Sequence, residues 1–450
     1  MVLEGIILHD IRLYNAKILT MEEGREIFEG EIHIKDDRIV CVQALEGGKI
    51  NTVSSGERLQ QNNCKGENEI WDEEIDCEGN LLMPGFKNAH THSGMTAFRS
   101  YADDLPLKQW LEEKIFPMEA KLSSEDIYHF VKLAILEYLS GGITSVFDMY
   151  IRPAATAQAC MDMGMRCVLT SGLNNFTSSV KAVEEEYNIW NHTSPLISYR
   201  LGFHAEYTCN KTLLKELSSL AQKLKAPVYA HMNETAEEVA ECKKRYGMTP
   251  LMFLDSLGMF RYGGGGYHCV HMSEEDLQVL MKRHMYVITN PGSNTKLASG
   301  IAPINTYLKR DIPVAIGTDG ASSNNCLDMF REMFLVTGLA KLREKDAACV
   351  DAAEVLKMAT CNGAHAMGLK DADVLAEGKL ADLIMIDLQQ PNMRPIHNIG
   401  KNLVYSGSKQ NVKMTMIGGK ILYRDTKFFV GEEPADIYEK AEEIVKRLFN

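Results

Sequence analysis

The chain has 450 residues, of which 45% are hydrophobic and 24% are charged, and its formal net charge is −13. This length is enough for a barrel-sized domain plus a smaller one. The negative charge argues against nucleic acid or an anionic membrane as the main partner, and no apolar run approaches the roughly 20 residues that span a bilayer. Eleven scattered cysteines without a Cys-x-x-Cys pair, and a start without a signal-peptide pattern, predict reduced thiols and a cytoplasmic location.

Both ends of the chain carry short β-like runs, over residues 6–43 and again after Leu369. Residues 46–73 differ, because Gly, Asn, Ser, Gln and mixed charges dominate there, and we interpret them as an exposed polar insertion. A helix is predicted over Ala435–Leu448. The simplest architecture joins 1–80 and 370–450 into one small composite β-sandwich domain beside a larger domain over 81–369.

The larger domain alternates short apolar strands with amphipathic helical stretches, a pattern typical of the α/β class. Ser124 and Ser273 are placed as N-caps of two of these helices. The eight strand candidates are Leu81–Asn88, Ile143–Met149, Arg166–Gly172, Ile197–His204, Pro227–His231, Gly266–Val270, Tyr286–Asn290 and Pro313–Asp319. Eight strands in alternation with helices predict a (β/α)8 TIM barrel.

The first barrel strand ends in His90 and His92. Residues i and i+2 of a strand point to the same side, so the two imidazoles lie together and suit a divalent metal. A pair of buried, hydrogen-bonded histidines is an equally good interpretation of this motif alone.

Polar, metal-competent residues also end four further strands. His204 ends strand four, His231 and Glu234 follow strand five, His268 and His271 end strand six, and Asp319 ends strand eight. Catalytic groups of a (β/α)8 barrel lie at the C-terminal ends of its strands. One histidine at a strand end is more often a core residue, but five such ends on one face predict a metal-dependent active site.

These segments resemble the amidohydrolase superfamily over nearly the whole chain, and more narrowly the 5′-methylthioadenosine/S-adenosylhomocysteine deaminase group. Triazine hydrolases and guanine deaminases share much of the pattern. The matching segments are 83–92 (MPGFKNAHTH), 102–107 (ADDLPL), Trp110-Leu111, 231–235 (HMNET), 268–271 (HCVH), 290–294 (NPGSN), Lys296-Leu297, 317–321 (GTDGA), 359–364 (ATCNGA) and 377–383 (EGKLADL).

The resemblance implies that His90, His92, His231 and Asp319 bind one divalent metal and leave a position for water. Zinc is the expected metal and ferrous iron the alternative, because ligand type does not separate them. Two-metal relatives use a carbamylated lysine at the end of strand four. No lysine stands there before Lys211, so we predict a single metal.

The catalytic roles are implied by the same resemblance. Asp319 takes the proton of the attacking water, His268 hydrogen-bonds the attacking oxygen, and Glu234 protonates a ring nitrogen and then the leaving amine. For an adenine ring, water adds at C6, N1 receives the proton and ammonia departs, which gives the inosine analogue. The alternative for Glu234 is a solvated acid at a helix N-terminus.

The resemblance also implies substrate contacts, in which Glu234 and Asp319 take part. Glu119 would bind ribose hydroxyls, His204 the sugar or the ring, and Trp110 the face of the base. A helix-surface acid and a core tryptophan are the alternatives for Glu119 and Trp110.

Two departures from the family pattern bear on the 5′ substituent. Ser171 occupies the place of an arginine that would bind a homocysteine carboxylate, and serine offers no bidentate fork. Glu206 follows His204 by two residues, where its carboxylate would lie near the tail pocket. We therefore expect 5′-methylthioadenosine, 5′-deoxyadenosine or adenosine to be preferred over S-adenosylhomocysteine.

Two other functions stay open. The same site could deaminate or dechlorinate a bare heterocycle such as guanine, a pterin or an s-triazine, in which case Glu119 would point to solvent. A catalytically silent binding protein of this fold would have lost one of the metal-binding residues or Glu234, the proposed proton shuttle. The sequence retains all of them. By family resemblance we expect a homo-oligomer, a dimer or a tetramer.

Overall fold

The computed structural model describes residues 9–45 and 70–449. The strands are β1 (Asp10–Ile18), β2 (Phe28–Lys35), β3 (Arg38–Ala44), β4 (Glu73–Asp76), β5 (Leu81–Pro84), β6 (Phe86–Thr91), β7 (Ile143–Met149), β8 (Arg166–Thr170), β9 (Ile197–Gly202), β10 (Val228–Met232), β11 (Gly264–His268), β12 (Tyr286–Thr289), β13 (Val314–Ile316), β14 (Leu383–Ile386), β15 (Val412–Ile417), β16 (Lys420–Arg424) and β17 (Lys427–Phe428). Nearly all of the polar insertion predicted over 46–73 lies outside the described residues.

The α-helices are α1 (Leu107–Gln109), α2 (Phe116–Glu119), α3 (Ser124–Ser140), α4 (Pro153–Met163), α5 (Val180–Trp190), α6 (Lys211–Leu224), α7 (Ala236–Tyr246), α8 (Pro250–Ser256), α9 (Glu274–Arg283), α10 (Pro291–Lys296), α11 (Ile304–Leu308), α12 (Met329–Glu344), α13 (Ala352–Ala359), α14 (Cys361–Met367), α15 (Ile399–Tyr405) and α16 (Pro434–Phe449). A π-helix over Trp110–Ile115 joins α1 to α2.

Strands β6 to β13 form one parallel sheet in sequence order. The segment after β13 returns to β6, since the Asp319 amide donates to the His90 carbonyl (3.0 Å) and the Thr318 amide to Asn88 Oδ1 (2.9 Å). The sheet is thus a nearly closed barrel, and its strands are buried on both faces, as parallel strands covered by helices must be. The predicted (β/α)8 barrel is confirmed.

The sequence predicts one strand over Leu81–Asn88, but the structure divides it at Gly85. β5 pairs with β1 and β14 of the terminal sheet, and β6 alone enters the barrel. A side chain at Gly85 would strike Thr144, so glycine is required where the chain changes sheets. We propose that the division between the two units lies near Gly85 rather than at residue 80.

The two terminal segments share one mixed sheet of nine strands, ordered β17-β16-β15-β14-β5-β1-β2-β3, with β4 also paired to β1. Side chains from both ends of the chain, among them Ile34, Ile39, Met385 and Met414, meet in a core separate from that of the barrel. The predicted composite of N- and C-terminal strands is therefore present.

A buried ion pair joins the sheet to the barrel. Arg166, at the start of β8, donates to both carboxylate oxygens of Asp382 at 2.5 and 2.9 Å. The C-terminal helix α16 lies against the barrel, where Arg447 contacts Asp126 of α3. The helix predicted over Ala435–Leu448 is thus present and longer by one residue at each end.

Two smaller predictions are corrected. Ser123, not Ser124, caps α3, because it forms a reciprocal capping box with Asp126, whereas Ser273 caps α9 as expected. Cys41 is disulfide-bonded, which departs from the expectation of reduced thiols throughout. None of the helices in the described ranges is long and apolar enough to cross a membrane.

Candidate metal centre and active site

Five metal-competent side chains converge at the C-terminal mouth of the barrel. One donor atom from each of His90, His231, His268 and Asp319 lies within 4.8 Å of the others. His92 joins them, with its Nε2 atom 3.2 Å from Asp319 Oδ1. These residues are far apart in sequence, and the parallel barrel brings them together because each follows or ends a strand.

Three of the histidines are held by a hydrogen bond at the ring nitrogen that faces away from the cluster. Nδ1 of His92 contacts the Met149 carbonyl, Nδ1 of His231 donates to the His204 carbonyl (2.8 Å), and Nδ1 of His268 donates to Asn294 Oδ1 (2.7 Å). Because the partners are acceptors, Nδ1 carries a proton and Nε2 faces the cluster. Such outer contacts fix the orientation of metal-binding histidines.

His90 tests whether the residues fit a metal. Its side chain is fully buried and stacked on Tyr267, yet neither ring nitrogen has a hydrogen-bond partner among the described residues. Burial lowers the pKa of His90 to about 3, so the ring is neutral, the form that binds metals. A buried polar group without a partner costs free energy, and a metal ion is a partner that would remove this cost. Nitrogen and carboxylate donors in this number fit zinc or ferrous iron.

The positions of the five donor side chains do not by themselves show which four of them would bind the metal. The group of four whose donor atoms all lie within 4.8 Å of one another contains His268, whereas the predicted set contains His92 in its place. His92 lies nearer to Asp319 (3.2 Å) than His268 does (3.9 Å), and His268 also faces Glu234. We retain the predicted set His90, His92, His231 and Asp319, and it stays a prediction.

Asp319 is held as an ionised carboxylate. Ser293 and Ser323 both donate to its Oδ2 atom, at 2.6 and 2.9 Å. Burial raises its pKa, but the neighbouring His90 and His92 lower it more, so that the pKa of Asp319 lies well below its usual range. Its φ of +60° is left-handed, as is the φ of +68° at His268. Strained backbone of this kind clusters at functional sites, where it aims a side chain.

Glu234 lies beside the cluster and has the properties of a proton carrier. Its side chain is buried, with Oε2 3.8 Å from His268 Nε2, and Oε1 accepts a hydrogen bond from Ser299 (3.2 Å). Burial raises the pKa of Glu234, while the nearby His268 lowers it in part. A raised pKa brings a carboxyl closer to the operating pH, which favours general acid–base catalysis.

Glu119 and His204 border the same mouth. Glu119 ends α2 after the π-helix, a rare element that is frequent at functional sites. Burial raises the pKa of Glu119 to about 7, against the lowering effects of the adjacent Tyr150 hydroxyl and of His92. The His204 ring lies 4.9 Å from the His231 ring, so both residues lie near the metal-competent group.

Three other expectations fare differently. Trp110 is buried within the main hydrophobic core, so packing accounts for its position and its contact with a base stays a prediction. Ser171 is buried directly after β8, where its hydroxyl contacts Tyr199, and its contact with a 5′ substituent stays a prediction. Glu206 does not enter a tail pocket either, since it is buried against Arg245 of α7 at 2.5 Å.

Several residues of the site were missed from the sequence. Ser293 and Asn294 orient Asp319 and His268, Ser299 contacts Glu234, and Tyr150 lies against Glu119. The signal available for the first two was their place in 290–294, directly after a barrel strand. Ser299 and Tyr150 lie in loops whose direction no local pattern specifies.

Comparisons with known proteins agree with this geometry. The chain is 36% identical over 431 residues, 96% of its length and 97% of the relative's, to 5-methylthioadenosine/S-adenosylhomocysteine deaminase of Caldicellulosiruptor saccharolyticus. The structure superposes on a zinc-bound adenosine deaminase of Xanthomonas campestris with a TM-score of 0.89 and 31% identity, covering 98% of each chain. An atrazine chlorohydrolase of Arthrobacter aurescens shares the fold at 20% identity, with a TM-score of 0.84 and coverage of 97% of this chain and 100% of that one. The model of the amidohydrolase family matches residues 81–422, and the chain belongs to that family.

Proposed function

We propose that the protein is a metal-dependent hydrolytic deaminase of adenosine-type nucleosides, which it converts to the inosine analogue and ammonia. The observation that carries the proposal is the buried Glu234, which has a raised pKa and faces His268 beside the metal-competent cluster. The names of the relative from Caldicellulosiruptor and of the structural neighbour from Xanthomonas support an adenine nucleoside as substrate.

One divalent metal, zinc in our proposal, would be held by His90, His92, His231 and Asp319. When bound, it supplies the Lewis acidity that makes a water molecule nucleophilic at neutral pH. The low pKa of Asp319 and the serine hydroxyls on its Oδ2 keep this carboxylate ionised and oriented.

Side chains of the protein carry out the remaining steps, which are orientation of the attacking oxygen and the proton transfers. His268, fixed through Nδ1 by Asn294, directs Nε2 toward the attacking oxygen. Asp319 receives the proton of the water as the oxygen bonds to C6 of the adenine. Glu234 delivers a proton to N1, then takes the proton of the new 6-hydroxyl group and passes it to the 6-amino group, so that the C6–N bond breaks, the C6 carbonyl forms and ammonia leaves. The proton held by Asp319 then returns to Glu234 for the next turnover.

Glu119 supports a nucleoside over a bare ring. Its carboxyl lies next to Tyr150 and His92 rather than in solvent, where it can accept hydrogen bonds from ribose hydroxyls. His204 would contact the sugar or the ring from the opposite strand end. A guanine, pterin or s-triazine substrate would leave Glu119 without a role.

Of the two arguments for a preference among 5′ substituents, only the missing arginine remains. Residues 171–180 contain no arginine, so nothing there offers a bidentate partner to a homocysteine carboxylate. Glu206 adds no repulsion, because Arg245 neutralises it. We propose a preference for 5′-methylthioadenosine, 5′-deoxyadenosine or adenosine, a cytoplasmic location, and a homo-oligomeric assembly.

The test is ammonia release by the zinc-loaded protein from adenosine, 5′-deoxyadenosine, 5′-methylthioadenosine, S-adenosylhomocysteine, guanine and an amino-triazine. We expect fast turnover of 5′-substituted adenosines and a lower kcat/KM for S-adenosylhomocysteine. Activity on a bare ring alone would overturn the nucleoside assignment, and silence on every substrate with metal bound would overturn the deaminase assignment.

A further inference from the structure

A second cavity opens at the N-terminal mouth of the barrel, opposite the metal-competent cluster. Its volume is about 450 Å³, and segments that precede or begin β10, β11 and β12 line it, together with Arg200 of β9 and the end of α14. From Gly264 at this end of β11 to His268 at the other, the strand rises by about 13 Å. The cavity is therefore separate from the proposed catalytic centre.

The lining of this cavity is strongly basic in a protein whose net charge is −13. Arg200, Arg261, Lys282 and Arg283 line it with two histidines, and no Asp or Glu is among the lining residues. Arg283 is neutralised by Asp255 at 2.7 Å. In the described parts of the chain, no carboxylate lies within ion-pair distance of Arg200, Arg261 or Lys282.

Ordinary structural roles account for only part of this charge. Lys282 and Arg283 stand in the last turn of α9, where cations stabilise the helix dipole. Arg200 has no such role, because it lies in a strand and, among the described residues, its guanidinium donates only to the Tyr199 carbonyl at 3.2 Å. Arg261 donates to the neutral Gln222 side chain at 3.4 Å. Two arginines are thus left with weak, uncharged partners.

The chain also makes room for Arg200. Gly368 ends α14 with a φ of +79°, and a Cβ atom there would lie 2.1 Å from a terminal nitrogen of the Arg200 guanidinium. A side chain at residue 368 would require the flexible end of Arg200 to shift. Tyr229, Tyr262 and Tyr286 add aromatic surface to the same cavity.

We infer that this cavity is a binding site for a small organic phosphate, with the phosphate on Arg200, Arg261 and Lys282 and the organic part against the tyrosines. Guanidinium groups bind phosphate through parallel hydrogen bonds, and tyrosine rings suit a planar or sugar moiety. The volume falls within the range of small-molecule sites and is larger than inorganic phosphate needs.

The experiment is calorimetric titration of the metal-loaded full chain with inosine 5′-monophosphate, which carries no 6-amino group to be released. Inosine and inorganic phosphate are the matched probes without the phosphate and without the organic part. The protein variants are Arg200→Gln, Lys282→Gln, and the control Lys181→Gln, an exposed lysine on α5 outside the cavity.

We expect saturable binding of inosine 5′-monophosphate that is tighter than binding of inorganic phosphate and weakens with added salt. Arg200→Gln and Lys282→Gln should each reduce the affinity about tenfold or more, while Lys181→Gln leaves it unchanged. The substitutions leave the catalytic residues unchanged, so the deaminase activity of each variant reports that it is folded.

Four results would overturn the inference. Absence of saturable binding by the wild-type protein would remove the site. Equal affinity of the wild type and the Arg200→Gln variant would place the ligand elsewhere, as would binding abolished by metal removal. Equal affinity for inorganic phosphate and the nucleotide would show that the tyrosines take no part.

Discussion

The two mouths of the barrel are built from the same strands but carry opposite chemistry. β9 presents Arg200 to the basic cavity and leads to His204 at the other mouth, and β11 runs from Gly264 in the basic cavity to His268 in the histidine cluster. The C-terminal mouth gathers imidazoles and carboxylates, which suits a cation. The N-terminal mouth gathers guanidinium and ammonium groups, which suits an anion. Catalysis should therefore respond to changes at one mouth and not at the other.

The largest effect is expected for Glu234→Gln, which keeps the shape of the side chain but cannot carry a proton. Because general acid–base catalysis contributes about 100- to 10 000-fold, kcat should fall by that factor with metal content unchanged. The matched control is Glu237→Gln, an exposed acid in the first turn of α7. A steady-state assay of ammonia release checks both, and a Glu234→Gln variant with wild-type kcat would contradict the assignment.

A smaller loss is expected for Asn294→Leu, which removes the acceptor that orients His268. Loss of such an orienting partner typically costs about 10- to 100-fold, and here it should appear in kcat rather than KM. Asn294→Asp retains an acceptor oxygen and should restore part of the activity. If the two variants were equally impaired, the hydrogen bond to His268 would not be the cause.

Glu119 should give a pH-dependent effect on substrate capture. With a pKa of about 7, the carboxyl is neutral below that pH and ionised above it, and only the ionised form accepts two ribose hydroxyls well. We expect kcat/KM for a nucleoside to rise through pH 7 in the wild type, and this rise to be reduced in Glu119→Gln. Identical pH profiles of the two proteins would contradict a ribose contact.

The smallest effect on catalysis is expected at the basic mouth. Gly368→Ala places a methyl group against Arg200 and requires a left-handed alanine, which costs about 1–2 kcal/mol of stability. It should weaken nucleotide binding and lower Tm slightly while kcat stays unchanged. Thermal denaturation and the ammonia assay measure these outcomes, and a large loss of kcat would show that the two mouths are coupled.

The barrel and its polar strand ends were predictable because both depend on local patterns. A buried parallel strand is a short apolar run, and a residue just after it lies at the C-terminal mouth wherever the strand stands in the barrel. His90, His92, His231, Glu234, His268 and Asp319 could be placed together for that reason.

The errors arose where contacts between distant residues decide the outcome. No local pattern shows that Leu81–Pro84 leaves the barrel, since this strand of the terminal sheet is as fully buried as the barrel strand that follows it. Glu206, for example, is neutralised by an arginine 39 residues away. The basic cavity combines Arg200, Arg261 and Lys282 from three separate segments, which no single motif contains.

The most direct test of a one-metal catalytic centre is titration of the metal-free protein with zinc, followed by ammonia release from 5′-methylthioadenosine. Activity should rise linearly and reach its plateau at one zinc per chain, and Glu234→Gln should bind the same amount of zinc without gaining activity. Full activity in the metal-free protein, or a plateau only at two zinc ions per chain, would contradict the proposed single metal held by His90, His92, His231 and Asp319.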